Sequence, residues 1–363
     1  MPGPELLNKI GSTAKAYPFA METVLNSRWQ FNLNYQFSRI VQWSQSCIKY
    51  ENILSIVSQQ YLAEQAMFLF SAVLKTIMPD NKPLFYSLNN QELDLIGTKI
   101  LKLSNKSADI HSDIINSTAL TALRNIFPSG SQRKNLQETL AASIYAGTVW
   151  WHQPEFYNEP GLATKTLLNK LKASPAIDHL NDLLNLINKN PALKILYIVD
   201  DNGETVFDLN FIKNLMEHYQ KLKVKVWANT NSIKPNTSVA DIKRILKDEY
   251  FTNLRTSTNF SVIGQPSELE TIDLRFASKQ LINLISDSDL LIIKGANFFE
   301  NLAPNLQTKH RFHLFTVYQS TLQNLTGLSR ESGVMAHLGP GQQGYGPIDQ
   351  QGDPAYRLKD IIY

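Results

Sequence analysis

Cysteine is nearly absent from this chain: of 363 residues, only Cys47 carries a thiol. One thiol makes neither an intramolecular disulfide nor a cysteine metal cluster. Cys47 sits in a helical-looking stretch and is expected to fill space as a small apolar side chain. A dominant charge is missing too. The 35 Lys and Arg against 32 Asp and Glu leave a formal net charge of +3. The basic residues are scattered, without runs or interleaved aromatics, so no nucleic-acid partner is expected. No apolar run approaches the ~20 residues of a membrane span, so no membrane partner is expected either. Met1-Pro-Gly-Pro-Glu5 has no basic segment followed by an apolar one. No secretory signal is read there, and a cytoplasmic location is expected. His-Glu-x-x-His, the Walker A loop and Gly-x-Ser-x-Gly do not occur. The seven histidines are dispersed, with His310 and His313 three apart and no acid beside them. Gly339-Pro-Gly341-Gln-Gln-Gly344 spells a dinucleotide fingerprint, but no βαβ unit follows and proline interrupts the turn. It is read as a flexible or lid-like loop. Trp150-Trp151-His152 is read as packing rather than as a stacking platform.

What is present is an ordinary globular composition, 43% hydrophobic and 18% charged, at a length that suits about two domains. Residues 1–187 read as helices, with apolar residues at three- and four-residue spacing over 42–74 and 136–146. From about residue 190 the period changes. Apolar strands at 194–199, 224–228, 260–263, 290–293 and 312–317 alternate with amphipathic helices at 206–222, 239–251 and 272–285. That alternation implies βαβ units. The expected fold is therefore α/β: a helical N-terminal domain (1–187), then a three-layer α/β/α domain (188–363) with a mostly parallel, doubly wound sheet and an irregular tail.

In a parallel sheet the strand C-termini share one edge, where ligands of such folds bind. The first strand ends in Asp200-Asp201-Asn202-Gly203-Glu204. Hard oxygens in that place suit Mg²⁺ or Mn²⁺. The same residues also suit a capped helix start, with Asp200 or Asp201 as N-cap and Glu204 favoured by the helix dipole. The edge also collects Asn229, Asn231 and Asn236 from the second strand's loop, Gly264 after the third strand, and Lys294-Gly295-Ala-Asn297 after the fourth. Asn229 and Asn231 equally suit a polar turn. Ser238-Val-Ala-Asp241 has capping-box spacing, so Asp241 is read as structural. Lys294 directly follows an apolar run and must reach solvent or meet an anion. Acids for a cation, amides for orientation and a lysine for an anion are the parts of a metal–phosphate site.

Taken in order, these segments resemble the metal-dependent damage-control phosphatases, a family that also includes proteins described as acidic-residue (protein-glutamate) methyltransferases. Tyr17-Pro-Phe19-Ala20-Met-Glu-Thr23 with Arg28 resembles its F-A-x-x-T-x-x-x-R stretch, Arg28 falling one residue late. Asp200-Asp201-Asn202-Gly203-Glu204-Thr-Val-Phe-Asp208-Leu209 resembles D-N-A-G-E-x-x-F-D-L. Residues 232–241 are similar to P-x-x-N-D-x-T-x-x-D, and 289–302 to D-L-V-I-x-K-G-x-x-N-Y-E-x-L. The resemblance implies a divalent metal, Mn²⁺ or Mg²⁺ with Co²⁺ or Ni²⁺ as further candidates, held by Asp200, Asp201 and Asn236. Asp stands at 201 where the family has Asn, and Asn at 236 where it has Asp, so the formal ligand charge is kept. Asn202 could supply the amide by a one-residue slip. Asp200 would coordinate the metal and act as nucleophile or orient water. Lys294 would pair with phosphate oxygens, aided by backbone N–H groups at Gly295 to Asn297. Arg28 and Glu300 would contact the substrate, and Tyr318 replaces a phosphate-contacting lysine. The implied activity is hydrolysis of a small phosphorylated metabolite such as a sugar phosphate. The alternatives are S-adenosylmethionine-dependent carboxyl methyl transfer and a non-catalytic phosphometabolite-binding protein.

Overall fold

The computed structural model describes residues 108–362 apart from 129–134, 152–154, 157–158, 231–235, 267–271, 273–276, 304–305, 319 and 347–353. Arg28, Cys47, the 17–23 stretch, the helical segment expected at 42–74, His152 and Asn231 lie outside the described residues. The chain forms two compact units. The first comprises Met1–His111, Glu268–Glu270 and Pro347–Ala355, and the second takes the rest. In the first, the described residues are Ala108–His111, where a helix begins, and Pro354–Ala355. The second starts at Ser112; residues 177–178 pair in its sheet, and the helix Leu136–Ala146 packs on that sheet.

The second unit is α/β. Among the described residues seven strands form one sheet in the order β1-β7-β6-β5-β2-β3-β4. They are β1 Ile177–Asp178, β2 Lys194–Ile198, β3 Lys223–Asn229, β4 Phe260–Gln265, β5 Leu290–Lys294, β6 His310–Thr316 and β7 Gly333–Leu338. All neighbours pair parallel except β6 and β7, which are antiparallel. The central strands β2 (Lys-Ile-Leu-Tyr-Ile) and β5 (Leu-Leu-Ile-Ile-Lys) are buried along nearly their whole length. A parallel strand covered on both faces needs such a continuous apolar run. Alternate residues separate the two faces. Leu196, Ile198, Leu291 and Ile293 pack with Leu281 and Ile285 of α8 (Lys279–Asp287) and with Phe298 and Leu302 of α9 (Ala296–Leu302). On the other face, α2 (Leu136–Ala146) packs against α5 (Glu204–His218) and touches β6 and β7. The layers are therefore helix, sheet, helix, as expected.

Five strands and the helices Leu136–Ala146 and Glu204–His218 fall where the sequence periodicity puts them. The helix expected over 239–251 is divided into Val239–Ile245 and a 3₁₀ turn, Glu249–Phe251, whose entry Asp248 caps through a hydrogen bond from the Tyr250 N–H at 3.0 Å. The helix expected from 272 begins at Lys279, where Ser278 Oγ accepts from Leu281 N–H at 3.2 Å, while Ile272 is a non-helical core residue. β1 and β7 were not expected. β1 is two residues long, and Gly333-Val-Met-Ala-His-Leu338 has little β-branching.

Candidate functional site

From β2 the chain passes outward through β3 and β4 on one side, and β5 and β6 lie on the other. The β2/β5 junction is thus the place where strand order reverses, and ligands of open α/β sheets bind outside the strand ends at such a point. Asp200 follows β2 and Gly295 follows β5. The register pairs Ile198 with Ile293, so the two residues come side by side. Gly295 has φ 98°, and a β-carbon there would collide with Asp200 Oδ2. Glycine is needed here both for its backbone and for the space it leaves the carboxylate.

The loop after β3 closes on the same spot. Asn236 Nδ2 donates to Asp200 Oδ1 at 3.3 Å, Thr237 N–H donates to Asp200 O at 2.8 Å, and Asp201 forms an antiparallel bridge with Asn236. The structure therefore brings together Asp200, Asp201 and Asn236, the expected metal ligands. Among the described residues no three His, Cys, Asp or Glu side chains converge. Asp200 and Asn236 meet through their side chains and Asp201 through its backbone bridge; two carboxylates and one amide are hard-oxygen donors of the kind Mg²⁺ and Mn²⁺ take. An Asp at 236 would face Asp200 as a like charge, whereas the amide donates a hydrogen bond to it.

Asn202 is engaged otherwise. Its Oδ1 accepts from Asn116 Nδ2 at 2.7 Å, and its Nδ2 donates to Asn236 O at 3.2 Å. Asn116 Oδ1 also accepts from Gly203 N–H at 2.8 Å. Asn116 belongs to α1 (Ala108–Ile126), is buried, and holds the turn that carries the acids. Gly203 has φ 85°, and a β-carbon there would strike the Trp151 indole. Asn229 is buried and bridges to Ser238. Asp241 closes a capping box with Ser238 and is structural, as read from its spacing.

Lys294 is 1% exposed, and its Nζ donates to Glu204 Oε2 at 2.6 Å and lies 3.8 Å from Asp208 Oδ1. Burial alone would lower its pKa, but Asp208 and Glu204, with Asp200 beyond, raise it. The lysine reaches an anion as its position required, and part of that demand is met from within the protein. Sequence reading treated Glu204 as a helix-dipole residue and did not pair it with Lys294. The available signal was Glu204 and Asp208 at i,i+4, one helix face. Asp208 is fully buried and receives Ser143 Oγ at 2.5 Å and Tyr197 Oη at 3.1 Å on Oδ1. Burial pushes its carboxyl up to about 6, against the pull of Lys294 and Ser143.

One expected substrate contact and one expected loop are engaged within the protein itself. Gly295 N–H donates to Leu314 O at 2.9 Å, because it continues the β5–β6 ladder, so it offers no donor to a phosphate. The Gly339–Gly346 segment is no loose lid. Buried Arg311 donates to Ala303 O at 2.9 Å, to Gly339 O at 3.4 Å and to Gln342 O, and Gly341 N–H donates to Gln307 O at 2.8 Å. Glu300 lies beneath this segment, its carbonyl accepting from Tyr345 Oη at 2.6 Å, while Asn297 is half-buried in the first turn of α9. His310 does have an acid in reach through space: it bonds His337 at 3.0 Å, which bonds Asp182 at 3.1 Å.

A family model described as the damage-control phosphatase ARMT1-like domain matches residues 62–332. The crystal structure of a DUF89 family protein from Pyrococcus horikoshii aligns with a TM-score of 0.65, at 16% identity over 84% of this chain and 96% of that one. At that identity the likeness is one of fold. A putative protein-L-isoaspartate O-methyltransferase from Plasmodium falciparum aligns at 10% identity over 68% of this chain and 94% of that one, but its TM-score of 0.27 carries no argument. No curated protein sequence matches.

Proposed function

The chain belongs to the damage-control phosphatase ARMT1-like family, and from that premise we propose that it is a divalent-metal-dependent phosphatase acting on a small phosphorylated metabolite. The observation that carries the reading is the closure of Asp200 and Asn236 on one another at the β2/β5 switch point, with Gly295 kept bare beside them. Asp200, Asp201 and Asn236 would hold the cation. When bound, it supplies charge neutralisation and polarisation of the phosphoryl oxygens. Lys294, fixed by Glu204, keeps a positive charge next to Asp200 where the phosphoryl group would sit. Ala296 and Asn297 bring first-turn N–H groups, which a helix leaves without internal partners. Water adds to phosphorus, the ester P–O bond breaks, and alcohol and phosphate leave.

The test is hydrolysis of an aryl phosphate by metal-stripped protein resupplied with Mn²⁺, Mg²⁺, Co²⁺ or Ni²⁺. Turnover should need the cation and should fall at least about a hundredfold in Asp200→Asn, the scale of a lost transition-state electrostatic contact. Metal-stimulated turnover that survives in Asp200→Asn would sink the assignment. A second reading, a phosphometabolite-binding protein without turnover, draws on the Asn236–Asp200 hydrogen bond and the Lys294–Glu204 pair. The first engages an Asp200 oxygen with an amide, and the second offsets the lysine's charge from within. Calorimetric binding of metal and phosphate without hydrolysis would favour it. No contact among the described residues favours methyl transfer.

A further inference from the structure

Two carboxyl groups share one lysine beside α5. Glu204 and Asp208 lie one helical turn apart, and Lys294 reaches them from the end of β5. Side-chain exposure falls from 11% at Glu204 to 1% at Lys294 and to none at Asp208, so Asp208 is the deepest of the three. An ammonium has three N–H bonds to give. Lys294 Nζ donates to Glu204 alone, and its 3.8 Å approach to Asp208 Oδ1 is a charge contact without a hydrogen bond. Two further elements fix Asp208. Ser143 of α2 donates to Oδ1 at 2.5 Å and Tyr197 of β2 at 3.1 Å, while Oδ2 is buried with no partner among the described residues. A bare buried oxygen penalises the charged form and leaves a proton a place to sit. Of the groups that face Asp208, Lys294 carries +1 and Glu204 −1, with Asp200 beyond the lysine. Burial opposes the Lys294 charge, but Asp208 and Glu204 outweigh it and keep the ammonium charged. Burial holds the Tyr197 hydroxyl well above its ordinary range, so it stays a donor. Asp208 does titrate near neutrality, burial raising its carboxyl to about 6.

We propose that Asp208 is the exchangeable counter-charge of the anion site: when a phosphoryl dianion takes up the Lys294 charge, Asp208 binds one proton from solvent, and it returns that proton when the anion leaves. This rests on the phosphatase reading above only in placing an anion at Lys294. The reason is Coulombic. With Asp208 ionised, an arriving dianion meets two carboxylates around one ammonium. With Asp208 neutral, the ammonium has one carboxylate left and more of its charge is free for the anion. Protonation and anion binding therefore favour each other, by the same factor in both directions. Affinity for the anion rises as pH falls through the titration of Asp208. Asp208 acts through Lys294 and is a positioning residue.

The experiment titrates sulfate, a dianion that does not itself titrate near neutrality, into the full chain with Mn²⁺ present. Calorimetry at about pH 7 in buffers of different ionisation enthalpy reads the protons taken up per sulfate bound. Wild type should take up part of one proton, and its affinity should rise as pH falls from about 8 to about 6. Asp208→Asn keeps the shape and an oxygen for Ser143 and Tyr197. It should take up none, bind sulfate independently of pH, and bind about 5- to 150-fold more tightly than wild type at about pH 8, the usual range of coupling between two sites. Ser143→Ala removes a donor that favours the charged carboxyl, so uptake should move to higher pH. Sulfate binding without proton uptake in wild type would overturn the proposal. So would uptake of the same size in Asp208→Asn, which would assign the proton to another group, or no binding of sulfate at all. Turnover of an aryl phosphate is scored separately. Turnover without proton-linked sulfate binding leaves the phosphatase and removes the counter-charge, whereas linked binding without turnover sustains the counter-charge and removes the phosphatase.

Discussion

Asn116 shows what one amide can do at a distance from the chemistry. It satisfies Asn202 Oδ1 and the Gly203 N–H together, and both lie in the turn that delivers Asp200 and Asp201. Asn116→Ala leaves both groups buried without those bonds, at about 1–3 kcal/mol for each unsatisfied group. If the turn is a metal-binding turn, its relaxation should weaken Mn²⁺ binding about 10- to 100-fold, the usual scale for residues that orient ligands. Calorimetric titration of the variant reads this directly, and an unchanged dissociation constant would reduce Asn116 to a structural residue. Asp200 and Lys294 were legible in the sequence because each directly follows an apolar run, where burial stops and chemistry starts; the space Gly295 leaves for the Asp200 carboxylate was not. Asn116 was not: its partners are 86 and 87 residues away, and its own segment reads only as helix.

At the scale of elements, periodicity located the strands well because buried parallel strands leave little choice of residue. The capping box at Ser238 was legible for a similar reason, since both its partners lie within four residues. The C-terminal glycines misled because composition records local freedom and not distant anchors. Arg311 fastens that segment from β6 through carbonyls at 303, 339 and 342. Hydrogen bonds from a charged donor contribute about 1.5–3 kcal/mol each, so Arg311→Met should release the 339–346 segment. Limited proteolysis should then cut there at protease levels that leave wild type whole. Resistance equal to wild type would show that the Tyr345–Glu300 and Gly341–Gln307 hydrogen bonds suffice to seat it.

The whole molecule feels pH through a few buried groups of opposite sign. His313 is fully buried, packs its ring edge to face on Phe299, and has no hydrogen bond to either ring nitrogen. Burial, reinforced by the Arg311 charge, holds its pKa well below the ordinary histidine value. Burial lowers His337 as well. As pH falls below about 6.5, the unfolded chain takes up protons that these folded imidazoles refuse, and stability drops. Asp208 works the other way: with its carboxyl raised to about 6, its contribution is present at low pH and is lost as pH rises through that value. Removing the first effect should isolate it. Calorimetric melting of His313→Leu against wild type should give a difference that moves in favour of the variant as pH falls from 7 to 5, by about 1.4 kcal/mol for each pH unit below about 6.5. A difference that does not vary with pH would mean that His313 titrates normally.

The Glu204–Lys294 pair spans 90 residues of chain. A growing polypeptide makes its acidic turn long before it makes the lysine that balances it, and the glycine that cradles Asp200 comes one residue later still. Until β5 docks beside β2, Asp200, Glu204 and Asp208 repel one another in an unfinished core. The site is thus a latch that closes only when β5 docks beside β2, and whatever cation it accepts would bind the paired strands and hold them together by mass action.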